Sequence, residues 1–186
     1  MSNSKSSVSK SLKSVSTFLT RAQDNGKKIV LATGVFDLLH DEHKAFFEAA
    51  AKQGDMFIVG VESDVRVKEL KGPDRPKQAQ GVRLAKVLAC APVSAAFILP
   101  EDFSTEEHHK ELIALVRPAV LAVSEKTPFI EKKQTILAEF GGVVKVVRKH
   151  NPEVSTTQKI KEAETTQQDR EVAKPKKKKE AVQPKK

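Results

Sequence analysis

The feature that most constrains how this chain folds is an alternation. Short apolar runs rich in β-branched residues recur, each followed by a stretch of helical periodicity. The runs are residues 28–32 (KIVLA), 56–63 (MFIVGVES), 95–100 (AAFILP), 119–124 (AVLAVS) and 143–148 (VVKVVR). A strand with one wet face alternates apolar and polar residues; these runs are solidly apolar, so both faces are expected to be covered. Strands of this kind interleaved with helices predict an α/β domain: a five-stranded parallel sheet with helices on both faces. In such folds ligands sit beyond the C-terminal strand ends, where strand order reverses.

The helical stretches are residues 10–24, 43–53, 80–90, 104–116 and 128–140. In the first, Leu12, Val15, Phe18 and Leu19 fall at helical spacing, and Asn25-Gly26 stops it. Ser104 is the expected N-cap of the fourth. Residues 65–77 (VRVKELKGPDRPK) read as a charged loop around Gly72, Pro73 and Pro76. A last helix is expected from Ser155, fading into a Lys-rich end. The implied organisation is a Ser/Lys-rich leader and helix over 1–26, a domain over 27–163, and a disordered Lys-rich tail over 164–186.

The formal net charge is +9. It divides as +3 in residues 1–20, +5 in residues 171–186 and only +1 in the 150 residues between. A nearly neutral core argues against a domain built around a nucleic-acid backbone. The tail suits a solubilising role or unselective contact with an anionic partner. Cys90 is the single cysteine, so no intramolecular disulfide or cysteine-rich zinc site is available, and a reducing, cytoplasmic setting is expected. No apolar run is long enough for a membrane span. The first residues lack the apolar stretch of a secretory signal; their Ser/Lys-rich, acid-free composition is weakly similar to a transit peptide, with a solvated leader as the plainer reading.

Two loops at strand ends carry chemistry. After the first strand comes GVFDLLHDEH, residues 34–43. Gly34, lacking a Cβ, lets a ligand approach the backbone. His40 and His43, three apart at a helix start, present two imidazoles beside free N–H groups, a setting suited to phosphate. The same pair suits metal ligation, though without a third ligand in sight, or plain helix capping. After the fifth strand comes VSTTQKI, where Ser155, Thr156 and Thr157 open a helix and gather hydroxyls and N–H groups on one point, as an anion site or as an N-cap.

Gly34, Phe36, Asp37, His40 and His43 resemble the signature G-T/C-F-D-x-x-H-x-G-H of the cytidylyltransferase-like nucleotidyltransferases. Val61, Ser63, Asp64, Leu70, Lys71, Gly72, Arg75 and Pro76 fit the family's V-x-V-x-S-D-x-x-V/T-x-x-L-K-G-x-x-R-P, and Ser155–Thr157 resemble its S-T-T-x-x-I. The resemblance covers about Lys27 to Lys161. It is greatest to the adenylyltransferase domain that makes ADP-heptose from a heptose 1-phosphate, and next to the glycerol-3-phosphate cytidylyltransferases. It implies a Rossmann-like domain that transfers a nucleoside monophosphate, AMP before CMP, from a triphosphate to a phosphorylated sugar or polyol. Pyrophosphate leaves, Mg²⁺ is carried by the nucleotide, the protein itself supplies no metal site, and a homodimer is possible. His40, His43 and Lys71 are then the catalytic group. Gly34, Val35, Phe36, Asp37, Arg83, Ser155, Thr156 and Thr157 hold the nucleotide, with Arg83 on the triphosphate, and Asp37 and Arg75 meet the acceptor. Lys71 and Arg75 flank a Gly-Pro turn and are expected on a mobile basic loop that clamps phosphates.

Two departures bear on function. Glu42 stands where the family has Gly, and a carboxylate between the two His is expected to weaken nucleotide binding unless Mg²⁺ bridges them. Val123, Ser124 and Glu125 replace the Lys and Gly residues of the heptose type, which bears on the substrate. The alternative reading is a non-catalytic nucleotide-binding or scaffold domain.

Overall fold

The computed structural model describes residues 6–149; the Ser155–Thr157 helix start and the Lys-rich tail lie outside the described residues. The strands are β1 (Ile29–Gly34), β2 (Met56–Val61), β3 (Ala95–Ile98), β4 (Val120–Ser124) and β5 (Val143–Arg148). They form one five-stranded sheet in the order β3-β2-β1-β4-β5, every pair parallel. The helices are α1 (Ser7–Ser11), α2 (Ser16–Asp24), α3 (Asp41–Ala51), α4 (Asp64–Lys71), α5 (Gln80–Leu88), α6 (Glu106–Val116) and α7 (Ile130–Ala138).

The two-residue period of each strand feeds two separate cores. Ile29, Leu31, Ile58, Phe97, Leu121 and Val123 face a layer made by α6, α7 and the N-terminal helices. Val30, Ala32, Phe57, Val59, Val61, Val120 and Ala122 face α3 and α5 through Phe47, Ala50 and Val87. Both sheet faces are therefore covered, which is why the strands lack polar alternation. The edge strand β5 is the exception, with Val143 and Val146 44% and 50% exposed.

Four local expectations need correction. Residues 10–24 are not one helix: α1 and α2 are joined by a 3₁₀ turn at Leu12–Val15, although Leu12, Val15 and Leu19 are buried as their spacing predicted. The N-terminal segment is part of the core, since Val8, Leu12, Val15, Leu19 and Ala22 pack with the sheet. Residues 65–77 are not all loop. Ser63 caps α4, its Oγ accepting from the Arg66 N–H at 3.1 Å, and Val67 is fully buried; the helix ends at Gly72, whose φ is 96°. The cap of α6 is Thr105 rather than Ser104, its hydroxyl accepting from the His108 N–H at 3.2 Å.

The sheet opens where the site must be. β1 pairs with β2 over six positions, Ile29 with Met56 through Gly34 with Val61. Against β4 it pairs only at Val30–Val120 and Leu31–Leu121. Beyond Leu31 the two central strands part, and strand order reverses across that gap. This leaves a crevice at the C-terminal end of the sheet, entered by the loop after β1.

Because Leu12 is 4% exposed within the sheet's own core, Leu12→Ala is expected to cost about 2–4 kcal/mol. Urea unfolding measures it; a loss below about 1 kcal/mol would mean that the N-terminal segment does not share the cooperative core.

Candidate nucleotide site

The loop after β1 is held in a conformation that its residues do not favour locally. Phe36 and Leu38 both have left-handed backbone, with φ of 50° and 55°. Each such non-glycine residue costs about 1–2 kcal/mol, which surrounding contacts must offset. Phe36 supplies part of the offset: it is 7% exposed and its ring meets Phe47 edge-on at 5.1 Å between centroids. Gly34 makes room for that ring. A Cβ at Gly34 would lie 2.9 Å from Phe36 Cζ, so the space expected for a ligand is taken by the loop's own phenyl group.

Arg83 and Asp37 supply the rest. Arg83 is 0% exposed. Its Nη1 donates to the Val35 carbonyl at 2.5 Å, Nη2 to the Glu62 carbonyl at 2.7 Å and to Asp64 Oδ1 at 2.8 Å, and Nε to the Gln78 carbonyl at 3.0 Å. One guanidinium thus ties the β1 loop, the end of β2, the start of α4 and the entry to α5. Arg83 is expected on the triphosphate by resemblance; in this structure its side chain has no exposed surface and holds the loop. Asp37, 2% exposed, accepts from Arg75 Nε at 2.8 Å and from the backbone N–H groups of Lys77 and Gln78 at 2.9 and 3.1 Å. Arg75 is therefore pinned, its side chain 13% exposed, rather than waving on a mobile loop. Lys71, at the last position of α4, is exposed.

The histidine pair sits at the mouth of the crevice. His40 is the N-cap of α3 and His43 its third residue, with ring centroids 3.9 Å apart. His43 also meets the edge of Phe36 at 5.7 Å. The His40 backbone N–H points to His43 Nδ1 at 3.4 Å. With Nδ1 as the acceptor, neutral His43 carries its ring proton on Nε2. The capping reading of the pair is met in this geometry, with one His43 nitrogen taking the His40 N–H. The free N–H groups and the positive dipole end of α3 lie at the same helix start.

Glu42 is not a bare charge between the two imidazoles. Its carboxylate accepts both Arg148 Nε and Nη2, at 2.9 and 3.0 Å. Arg148 ends β5, and its carbonyl accepts from the Glu125 N–H at 3.2 Å, so it joins α3 to the loop after β4. Hydrogen bonding to Arg148 holds the Glu42 carboxyl below its ordinary value of 4.5. A lowered carboxyl contributes above that value and its contribution fades as pH falls below it, so the pair is constant across neutral pH. Sequence reasoning missed Arg148, since nothing in VVKVVR marks a partner more than a hundred residues earlier.

Residues 31–171 match the family described as cytidylyltransferase-like, about three quarters of the chain. The chain belongs to that family. Among curated relatives, the bifunctional protein HldE of Campylobacter fetus is 36% identical over 129 residues, 69% of this chain and 26% of that protein. HldE of Sulfurimonas denitrificans is 33% identical over 154 residues, 82% of this chain and 31% of that protein. The chain thus spans only about a quarter to a third of the length of these relatives. In structure, the lipopolysaccharide core biosynthesis protein from Thermoplasma volcanium is similar at TM-score 0.53 and 30% identity, covering 66% of this chain and 96% of that one. The pantoate-beta-alanine ligase of Francisella tularensis shares the fold at TM-score 0.51 with 14% identity, covering 78% of this chain and 70% of that one. No helix among the described residues is long and apolar enough to cross a membrane.

The Glu42–Arg148 pair yields a paired expectation. Glu42→Gly removes the carboxylate and leaves Arg148 to face phosphate, so ATP affinity holds or improves. Arg148→Met leaves Glu42 unbalanced and weakens ATP binding about two- to fivefold. Calorimetric titration of both variants checks this, and the opposite order of affinities would refute it.

Proposed function

We propose that the domain is a nucleotidyltransferase that moves a nucleoside monophosphate, AMP before CMP, from a triphosphate to a phosphorylated sugar or polyol. The observation that carries this reading is the crevice between β1 and β4, with the paired imidazoles and the start of α3 at its mouth. Membership of the family and the similarity to HldE support the reaction class.

The chemistry is that of the reaction class the resemblance implies. An oxygen of the acceptor phosphate attacks the α-phosphorus in line. The new P–O bond forms as the bond to the β-phosphate oxygen breaks, and pyrophosphate leaves. No proton need be taken from the nucleophile, because a phosphate oxygen is already anionic. The protein's task is then to place the phosphates and balance the charge that builds on them. His43 Nε2–H, His40 and the N-terminus of α3 do this at the α-phosphate. Lys71 is exposed at the rim, where it can meet the leaving or attacking group; Ser155, Thr156 and Thr157 remain assigned to the triphosphate by resemblance. Mg²⁺, bound by the nucleotide's own oxygens, would neutralise β- and γ-phosphate charge.

The non-catalytic alternative drew on Glu42 as an unbalanced charge and on the altered loop at Val123, Ser124 and Glu125. The pairing of Glu42 with Arg148 weighs against the first of these.

The test is pyrophosphate release with Mg²⁺, ATP or CTP, and a set of sugar and polyol phosphates. Release with at least one pair is expected, with kcat falling about 10²–10³-fold in His40→Ala and in His43→Ala. No release with any pair, together with no rise in melting temperature with ATP or CTP, would refute the proposal. Full activity in both variants would refute the roles of the two histidines.

A further inference from the structure

A second polar group lies on the other face of the sheet from the histidine pair. In β2, Met56 and Ile58 face the layer of α6 and α7, and the two-residue period carries that face to Gly60 and then to Glu62. The Glu62 side chain therefore leaves the sheet toward α6 and α7, while its backbone N–H donates to the Gly34 carbonyl at 2.9 Å. Arg66 stands one turn into α4, His108 and His109 in the first turn of α6, and Lys133 in the first turn of α7. The charge of Lys133 acts on both Glu62 and His109, and so does that of Arg66. These groups thus stand on four elements within electrostatic reach of one another, with Glu62 bonded through its backbone to the nucleotide loop.

Packing alone does not account for this group. Glu62 Oε2, Arg66 Nε and His108 Nδ1 are each shut off from solvent with no hydrogen-bond partner among the described residues. Buried polar atoms without partners are costly and rare, and Glu62 Oε2 and Arg66 Nε, four residues apart around the end of β2, ask for a polar occupant. Burial raises the Glu62 carboxyl and lowers Lys133 and His109, so each group is pushed toward its neutral form. His109 is oriented as well: its Nδ1 lies 2.7 Å from the Thr105 carbonyl and its ring centroid 4.6 Å from that of Phe103. With Nδ1 donating, its Nε2 is an acceptor.

The mixture decides what kind of ligand fits. A bare phosphate wants donors only, and the acceptor lone pairs of the Glu62 carboxyl and of His109 Nε2 do not suit it. Hydroxyl groups both donate and accept, and acceptors at Glu62 and His109 interspersed with donors at Arg66 and Lys133 match them. We infer that Glu62, Arg66, His109 and Lys133 form the subsite for the hydroxyl-bearing body of the acceptor, whose phosphate then reaches past the Gly34–Glu62 backbone bond to the crevice. This rests on the transfer reading above and names the residues that would select the sugar or polyol.

The experiment uses the full chain. Its histidine Cε1–H resonances are followed during titration with glycerol 3-phosphate, mannose 1-phosphate, a heptose 1-phosphate and inorganic phosphate. At least one of the three organic phosphates is expected to shift the His109 resonance, and inorganic phosphate is not. In Lys133→Met and Glu62→Gln, checked for an unchanged fold by circular dichroism, the Kd of that compound rises about tenfold or more, while the ATP-induced rise in melting temperature stays as in the parent. If no organic phosphate moves His109, or the variants bind as the parent does, the subsite is overturned. Pyrophosphate release reports separately. Release with an undisturbed His109 overturns the subsite and spares the transfer reading, and binding at His109 without release does the reverse.

Discussion

The buried guanidinium of Arg83 is the contact on which the rest of the site depends. A fully buried charge is tolerated only when its donors are satisfied. Here they are satisfied mainly by backbone carbonyls, of Val35, Glu62 and Gln78, with Asp64 the charged partner. The arrangement converts one side chain into a brace between segments far apart in sequence. It also explains how the loop after β1 keeps two left-handed non-glycine residues, whose local strain would otherwise relax the loop. Asp37 repeats the device from the other side, its carboxylate taking the backbone of Lys77 and Gln78 as well as Arg75. Arg83 and Asp37, positions that resemble ligand contacts in sequence, thus also brace the loop after β1.

Electrostatics at the crevice divide along the sheet. On the α3 side, imidazoles and a helix N-terminus offer donors, and Glu42 is neutralised by Arg148 so that the region stays hospitable to an anion. On the α6 and α7 side, half-buried groups of both signs sit together with their charged forms disfavoured. The backbone bond from Glu62 to Gly34 runs between the two. A transfer reaction between a triphosphate and a hydroxylated phosphate needs two such neighbouring environments, one for phosphate charge and one for a neutral polar body.

Much of this was legible in the sequence, for identifiable reasons. Strands buried on both faces leave an unmistakable apolar record, so the five-stranded parallel sheet followed directly from KIVLA to VVKVVR. The pairing of His40 with His43 followed from their three-residue spacing at a helix start. What local pattern does not encode was misread. The charged run after Ser63 hid a helix because its stability comes from a cap and one buried residue, Val67. The bracing role of Arg83 was not legible because its partners are mostly backbone carbonyls, which carry no sequence signature. Glu42 looked like a defect because its partner, Arg148, is 106 residues away. Glu62 was readable in principle, since β-strand parity puts it on the α6 face, but its partners come from helices whose placement only the fold fixes.

The measurement that bears most directly on this account is a crystal structure with a non-hydrolysable ATP analogue. Phosphate oxygens are expected within hydrogen-bond distance of His43 Nε2 and the first N–H groups of α3, with Arg83 still bound to the Val35 and Glu62 carbonyls. A nucleotide bound away from the gap between β1 and β4, or an Arg83 released from those carbonyls to grip phosphate, would contradict it.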